Sequence, residues 1–151
     1  MSPKEELDGF LDKYEPAIAA RAWRVLKEVR ARTPGAVELV YDNYNALTIG
    51  FGPTEKTSEA VISVAVWPRS VMLYFLKGAT LADPDGLLKG SGSRGRHIPD
   101  VDKATFAVPG VEALIARAIA LTDPPFNPKA KRRLLIKSVS AKQRPRRPAP
   151  K

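Results

Sequence analysis

The spacing of apolar and polar positions changes period along this chain, and each change marks an element. Leu7, Phe10, Leu11 and Tyr14 recur at the helical period and fall within about 100° of one another, so they form one stripe of an amphipathic helix. Ahead of them, Ser2-Pro3-Lys4-Glu5 supplies an N-cap serine, a proline for the first helical position and a glutamate to close a capping box. Pro16 breaks that helix and opens a second, with Ile18, Ala22, Val25, Leu26 and Val29 as its stripe and Trp23 at the border, until Thr33-Pro34-Gly35 stops it.

The period then falls to two. Val37, Leu39 and Tyr41 alternate with Glu38, Val40 and Asp42, which predicts a half-buried strand. Asn43-Tyr44-Asn45 turns into a second strand over 46–51, where Leu47, Ile49 and Phe51 share a face. Residues 61–67 and 71–76 are dense in β-branched and aromatic types and are joined by the tight Pro68-Arg69-Ser70 turn. Short links between four strands predict an antiparallel meander, with Arg96 to Ile98 as a short fifth strand. Between them, Asp83-Pro84 is expected to cap a short helical turn that Gly90 ends. Pro109 opens a last helix, with Val111, Leu114, Ile115, Ala118 and Ile119 as its stripe, up to Asp123-Pro124-Pro125.

This order predicts an α+β fold: a two-layer α-β sandwich with a four- to five-stranded antiparallel sheet, the N-terminal helices and a C-terminal helix on one face. A chain of 151 residues holds one core, placed at 1–124, and 125–151 reads as a basic, proline-containing, largely disordered tail. Leu134, Leu135, Ile136 and Val139 allow part of 129–142 to dock as a strand or helix. The charge divides at the same place. Lys129 to Lys151 carries ten basic residues and no acid, so the net charge of +9 leaves −1 for the chain before Lys129.

The absence of cysteine removes disulfides, thiolate nucleophiles and sulfur-ligated metal. No apolar run is long enough for a membrane span, and the opening MSPKEELDGF is acidic where a signal peptide is basic and then greasy. These features predict a cytoplasmic protein with no membrane partner.

VELVYDNYNAL at 37–47, VMLYFLKGATL at 71–81, DPDGLLKGSG at 83–92 and RHI at 96–98 together resemble the YdhG-like family of bacterial domains of unknown function. The resemblance covers roughly Phe10 to Leu121. It implies a frataxin-like shape and, because some relatives have been proposed as iron chaperones, a carrier role for iron or another hard cation. It supplies no agreed catalytic motif, and the long basic tail departs from shorter members of the family.

Four groups of residues are candidates for chemistry. Glu5, Asp8, Asp12 and Glu15 lie within about 80° on one helix and offer oxygen ligands suited to Fe(II), Mn(II) or Mg(II). The macrodipole's preference for acids near a helix N-terminus explains the same stripe without a metal. Gly90 and Gly92, flanked by Arg94, Arg96 and His97, fit G-x-G-x-x-G by letter but lack the strand before and helix after that a dinucleotide fold needs. Such a loop can cradle an anion with its backbone amides, or serve backbone geometry alone.

Tyr41, Asn43 and Tyr44 form the third group, able to line a small pocket at a sheet end or to act as core and turn. The fourth is the tail, in which Lys129, Lys131, Arg132, Arg133, Lys137, Lys142, Arg144, Arg146 and Arg147 can neutralise phosphates of nucleic acid without sequence preference, or simply keep an extension solvated. Catalysis lacks its parts: His97 is the single histidine, and no serine stands in a nucleophile-elbow context. The expectation is a non-enzymatic binding protein with an unidentified metal or protein partner. A nucleic-acid-associated protein tethered by its tail and an enzyme with a small pocket are the alternatives.

Overall fold

A computed structural model describes residues 1–149; Pro150 and the last of the ten basic residues, Lys151, lie outside that range. The described chain forms three α-helices and one six-stranded mixed sheet. The elements are α1 (Pro3–Asp12), α2 (Pro16–Arg32), β1 (Val37–Asp42), β2 (Leu47–Gly52), β3 (Ile62–Val66), β4 (Val71–Phe75), β5 (Arg96–Ile98), α3 (Pro109–Ala120) and β6 (Arg133–Val139).

The caps act as the sequence predicts. The Ser2 hydroxyl accepts from the Glu5 amide while the Glu5 carboxylate accepts from the Ser2 amide, so two otherwise unpaired donors at the start of α1 are satisfied. The stripes Leu7, Leu11, Tyr14 and Ile18, Ala22, Val25, Leu26, Val29 meet Ile49, Phe51, Val64, Leu73 and Phe75 in one core, joined by Val111, Leu114, Ile115 and Ala118 of α3. All three helices therefore pack on the same face of the sheet. Each fully buried Leu, Ile or Phe here contributes about 1.5–3 kcal/mol. Tyr14 buries its ring and still satisfies its hydroxyl, which donates to the Val66 carbonyl (2.7 Å) and accepts from the Leu47 amide (3.2 Å).

The strand order is β5-β4-β3-β2-β1-β6. Strands β1 to β5 make the expected antiparallel meander. The sixth strand differs from expectation: β6 pairs parallel to β1, with Leu134 opposite Glu38 and Ile136 opposite Val40. The direction follows from where the chain returns. After α3 it passes Gly35, where a Cβ would stand 1.9 Å from the Asn127 carbonyl oxygen, and enters the sheet with the Arg133 amide donating to the Ala36 carbonyl. Gly35, at φ +77°, thus admits the returning chain beside the start of β1, and both strands run on from the same end.

The segment after residue 124, read from sequence as largely disordered, contributes a strand at Arg133–Val139, within the stretch 129–142 that the sequence allowed to dock. Leu134 and Ile136 pack against the core, and Arg146 is 5% exposed. The helical turn expected after Asp83 is also replaced. Asp83 instead closes a tight turn, its carboxylate accepting from the Leu87 and Leu88 amides, with Gly86 at φ +64°.

Candidate functional site

Strand β1 carries an inversion that organises the rest. Its helix-facing residues are Glu38, Val40 and Asp42, while Leu39 and Tyr41 turn to the opposite face. Two carboxylates are thereby buried, at 1% and 0% exposure. Unpaired, each would carry a desolvation cost of several kcal/mol. Each is held by one cation from the N-terminal helices and one from the C-terminal segment. Glu38 accepts from Arg30 (2.8 Å) and Arg132 (3.0 Å). Asp42 accepts from Lys13 (3.0 Å) and Arg146 (2.8 Å).

Burial pushes the Asp42 carboxyl upward, but its polar contacts with Gln143, Arg146 and Lys13 outweigh burial and hold it below the usual carboxylate range. Arg132 also donates to the Arg30 and Thr33 carbonyls, capping the end of α2, and Arg146 reaches the Asn43 and Tyr44 carbonyls. These two arginines are structural cations rather than free polyanion contacts. Arg133 pairs with Glu55, and Lys137 donates to the Glu55 carbonyl. Lys129, Lys131, Lys142, Arg144 and Arg147 remain exposed.

On the face away from the helices the sheet is hollowed. Thr48, Gly50, Ser63 and Ala65, successive outward positions of β2 and β3, are small, whereas Tyr41, Trp67, Met72, Tyr74 and Leu76 stand around them. The loop after β2 folds back so that Ala60 closes over Gly52, whose Cβ would come within 2.9 Å of the Ala60 Cα. The result is a cavity of about 440 Å³, a volume suited to a small organic molecule. Among the described residues no charged side chain lines it. Its polar lining residues are Tyr41 and Thr57, whose hydroxyls bond to each other, together with Asn43, Thr48 and Ser63. The Trp67 side chain borders the cavity with its ring, while its indole N–H is buried, without an acceptor among the described residues.

The expected site residues divide against this geometry. Tyr41 and Asn43 do line the cavity. Tyr44 does not: it is 44% exposed, and its ring lies 5.6 Å from the Arg144 guanidinium. Of the acidic stripe, Glu5 is engaged in the capping box, and Asp12 and Glu15 point to solvent. Among the described residues no three His, Asp or Glu side chains gather into a group that could hold a metal ion.

In the glycine loop, Gly90 and Gly92 take φ +117° and +90°. Arg96 donates back to the Gly95 and Gly92 carbonyls, so it braces the loop from within. His97 pairs through its backbone with Lys89, and Arg94 is exposed. The sequence reading missed Trp67, Met72, Tyr74 and the small floor. Its available signal was the run of small outward positions Thr48, Gly50, Ser63 and Ala65 in two central strands, where β-propensity favours bulk.

Among the described residues no helix is long and apolar enough to cross a membrane. No family model, curated protein or solved structure matches the chain.

Proposed function

We propose that this chain is a non-enzymatic binding protein of the YdhG-like type whose working surface is the cavity on the uncovered sheet face. The observation that carries the reading is the combination of a small-residue floor with an aromatic wall: Gly50 and Ala65 make room, and Tyr41, Trp67 and Tyr74 border it. A sheet face used only for support has no reason to leave such a hollow, since filling it with larger apolar side chains would add burial. The two-layer arrangement, with every helix on one face, is what the frataxin-like resemblance implies, and it leaves the opposite face free for a ligand. A hard-cation carrier role draws no comparable support, because Glu5 is engaged in the capping box and Glu15 stands outside α1 as the N-cap of α2, so the expected stripe is not one helical surface.

The test is a thermal-shift screen of small molecules followed by backbone NMR on the hits. Perturbations at Gly50, Ala65 and Tyr74 are expected. Hits that move only resonances remote from this face would refute the reading.

A second reading, loose association with nucleic acid, is favoured by one observation: Lys129, Lys131, Lys142, Arg144 and Arg147 are exposed together in the C-terminal segment. It predicts an affinity that falls steeply with salt. Charge reversal at Lys129 and Lys131 would lower the salt slope by about 2, and an unchanged slope would exclude it.

A further inference from the structure

The two edges of the sheet are finished differently. At one end β5 is three residues long and its outer side is already taken: the Lys89 amide donates to the His97 carbonyl (2.8 Å), and the His97 amide donates to the Lys89 carbonyl (2.9 Å). At the other end β6 is seven residues long and has β1 as its one neighbour. The amides of Arg133 and Ser140 donate to Ala36 and Asp42, towards β1. Backbone groups alternate between the two edges of a strand, so those of Leu134 and Val139, each beside one of these donors, aim away from β1. No further strand covers that edge among the described residues.

An unpaired edge of this length is a template for another strand. Proteins that leave one unused shorten it, place proline in it, cover it or guard it with a lysine or a bulge. β6 contains no proline, and its one guard is Lys137 at the bulge. That ammonium is drawn back over its own sheet to the Glu55 carbonyl (3.3 Å). Leu134, Leu135 and Ile136 are half-buried and Val139 is 51% exposed, so both faces of the edge offer apolar contact to a strand laid alongside.

Charge selects the occupant. Arg132, Arg133 and Arg146 are committed to Glu38, Glu55 and Asp42. Lys129 and Lys131 before the strand, and Lys142 and Arg144 after it, stand exposed, and no acid occurs after Asp123. A second copy of this chain would set that uniformly basic stretch against itself. Nucleic acid matches the charge but not the backbone, because phosphate oxygens only accept and would leave the outward carbonyls of β6 without donors. A peptide strand supplies donors and acceptors in the required alternation.

From this juxtaposition of an unpaired seven-residue edge with exposed cations at both its ends, we propose that β6 docks an extended, acidic segment of a partner protein, which joins the sheet as a further strand. The edge stands or falls independently of the cavity on the open face.

The probe is a capped peptide of alternating Val and Glu, titrated into the full-length protein at low salt and followed by amide NMR. Its controls are a peptide of alternating Val and Lys, the Val-Glu peptide N-methylated on two neighbouring central amides, one on each of its edges, and single-stranded oligothymidylate. The Val-Glu peptide is expected to shift the amides of Leu134, Ile136 and Val139. The methylated form should bind at least about tenfold more weakly, the combined loss of two or more net hydrogen bonds. The Val-Lys peptide and the oligothymidylate should leave these amides in place.

Val139→Pro removes one outward amide while sparing the Arg133 and Ser140 bonds to β1, and should weaken the Val-Glu peptide about two- to tenfold. If that variant does not fold, Lys131→Glu combined with Lys142→Glu carries the test, since both side chains are exposed; it should weaken the peptide about tenfold. No shift along β6, or equal binding by the methylated peptide, overturns the proposal, the latter by showing attraction through charge alone. Oligothymidylate that binds more tightly and shifts the same amides would assign the edge to nucleic acid instead. Self-association in sedimentation that Val139→Pro abolishes would make a second copy the occupant.

Discussion

Along β2 and β3 the two faces of one sheet receive opposite residues from the same strands. Towards the helices go Leu47, Ile49, Phe51, Ile62, Val64 and Val66, every one of them fully buried. Away from the helices go Thr48, Gly50, Ser63 and Ala65, which are small and leave space above them. One face is filled to the density of a core, and the other is kept open. If the proposed binding face is right, stability and binding are separated across the thickness of the sheet, and substitutions on neighbouring residues should report on different properties.

The sharpest challenge to that separation removes the strand that closes the sheet. A chain ending at Asn127 loses β6 and leaves Glu38 and Asp42 with one cation each. It is expected to lose its cooperative thermal transition in circular dichroism. A truncated chain that melts like the full one would show that β6 adds nothing to the helix-side core.

Next in size is Arg146→Met, which leaves Asp42 buried beside Lys13 alone and should cost about 3–5 kcal/mol in urea unfolding. Lys13→Met should cost clearly less, because the Lys13 side chain is 44% exposed and that of Arg146 only 3%.

The comparison is sharpened directly by a pair of adjacent residues on β4. Leu73→Ala, on the helix face, should destabilise by about 2–5 kcal/mol. Met72→Ala, at the cavity, should cost about 1 kcal/mol or less and change ligand affinity instead. Equal losses at the two positions would mean that both faces are core.

The smallest effect concerns acid. The Asp102 carboxyl is held at about 2, chiefly by its hydrogen bond from Arg24 and then by the Lys103 amide. A carboxyl lowered in the folded state adds stability above its unfolded value near 4, and that contribution is lost as pH falls through 2. Asp102→Asn should therefore flatten the acid limb of a urea-midpoint profile between about pH 4 and 2. The change will be modest, since Asp102 is 38% exposed and screened by water.

The local elements were legible because each was written in short-range signals. Ser2 and Pro3, the stripe from Leu7 to Tyr14, and the alternation around Leu47 place α1 and β2 without tertiary information. What was hidden lies at long range. Glu38 and Asp42 read as solvent positions, since a charged residue is seldom buried unless paired, and their partners Arg132 and Arg146 sit 94 and 104 residues away. With those pairs invisible, β1 reads with its faces exchanged, and the basic segment reads as a largely disordered extension in which only 129–142 has the apolar residues to dock.

The cavity was half legible for a related reason. Tyr41 and Asn43 are conspicuous by type, whereas Gly50 and Ala65 matter for bulk they lack.

The pairing of β6 with β1 also sets an order of events during synthesis. β1 leaves the ribosome well before β6, with β2 to β5 and α3 between them, so Glu38 and Asp42 each wait for a second counter-charge until the later strand and its flanking residues are made. Closure of that long loop is slow relative to the local hairpins. A nascent chain therefore passes through an interval in which the β1 edge is unpaired and its acids are half compensated, and both are resolved together when the stretch from Arg132 to Arg146 emerges.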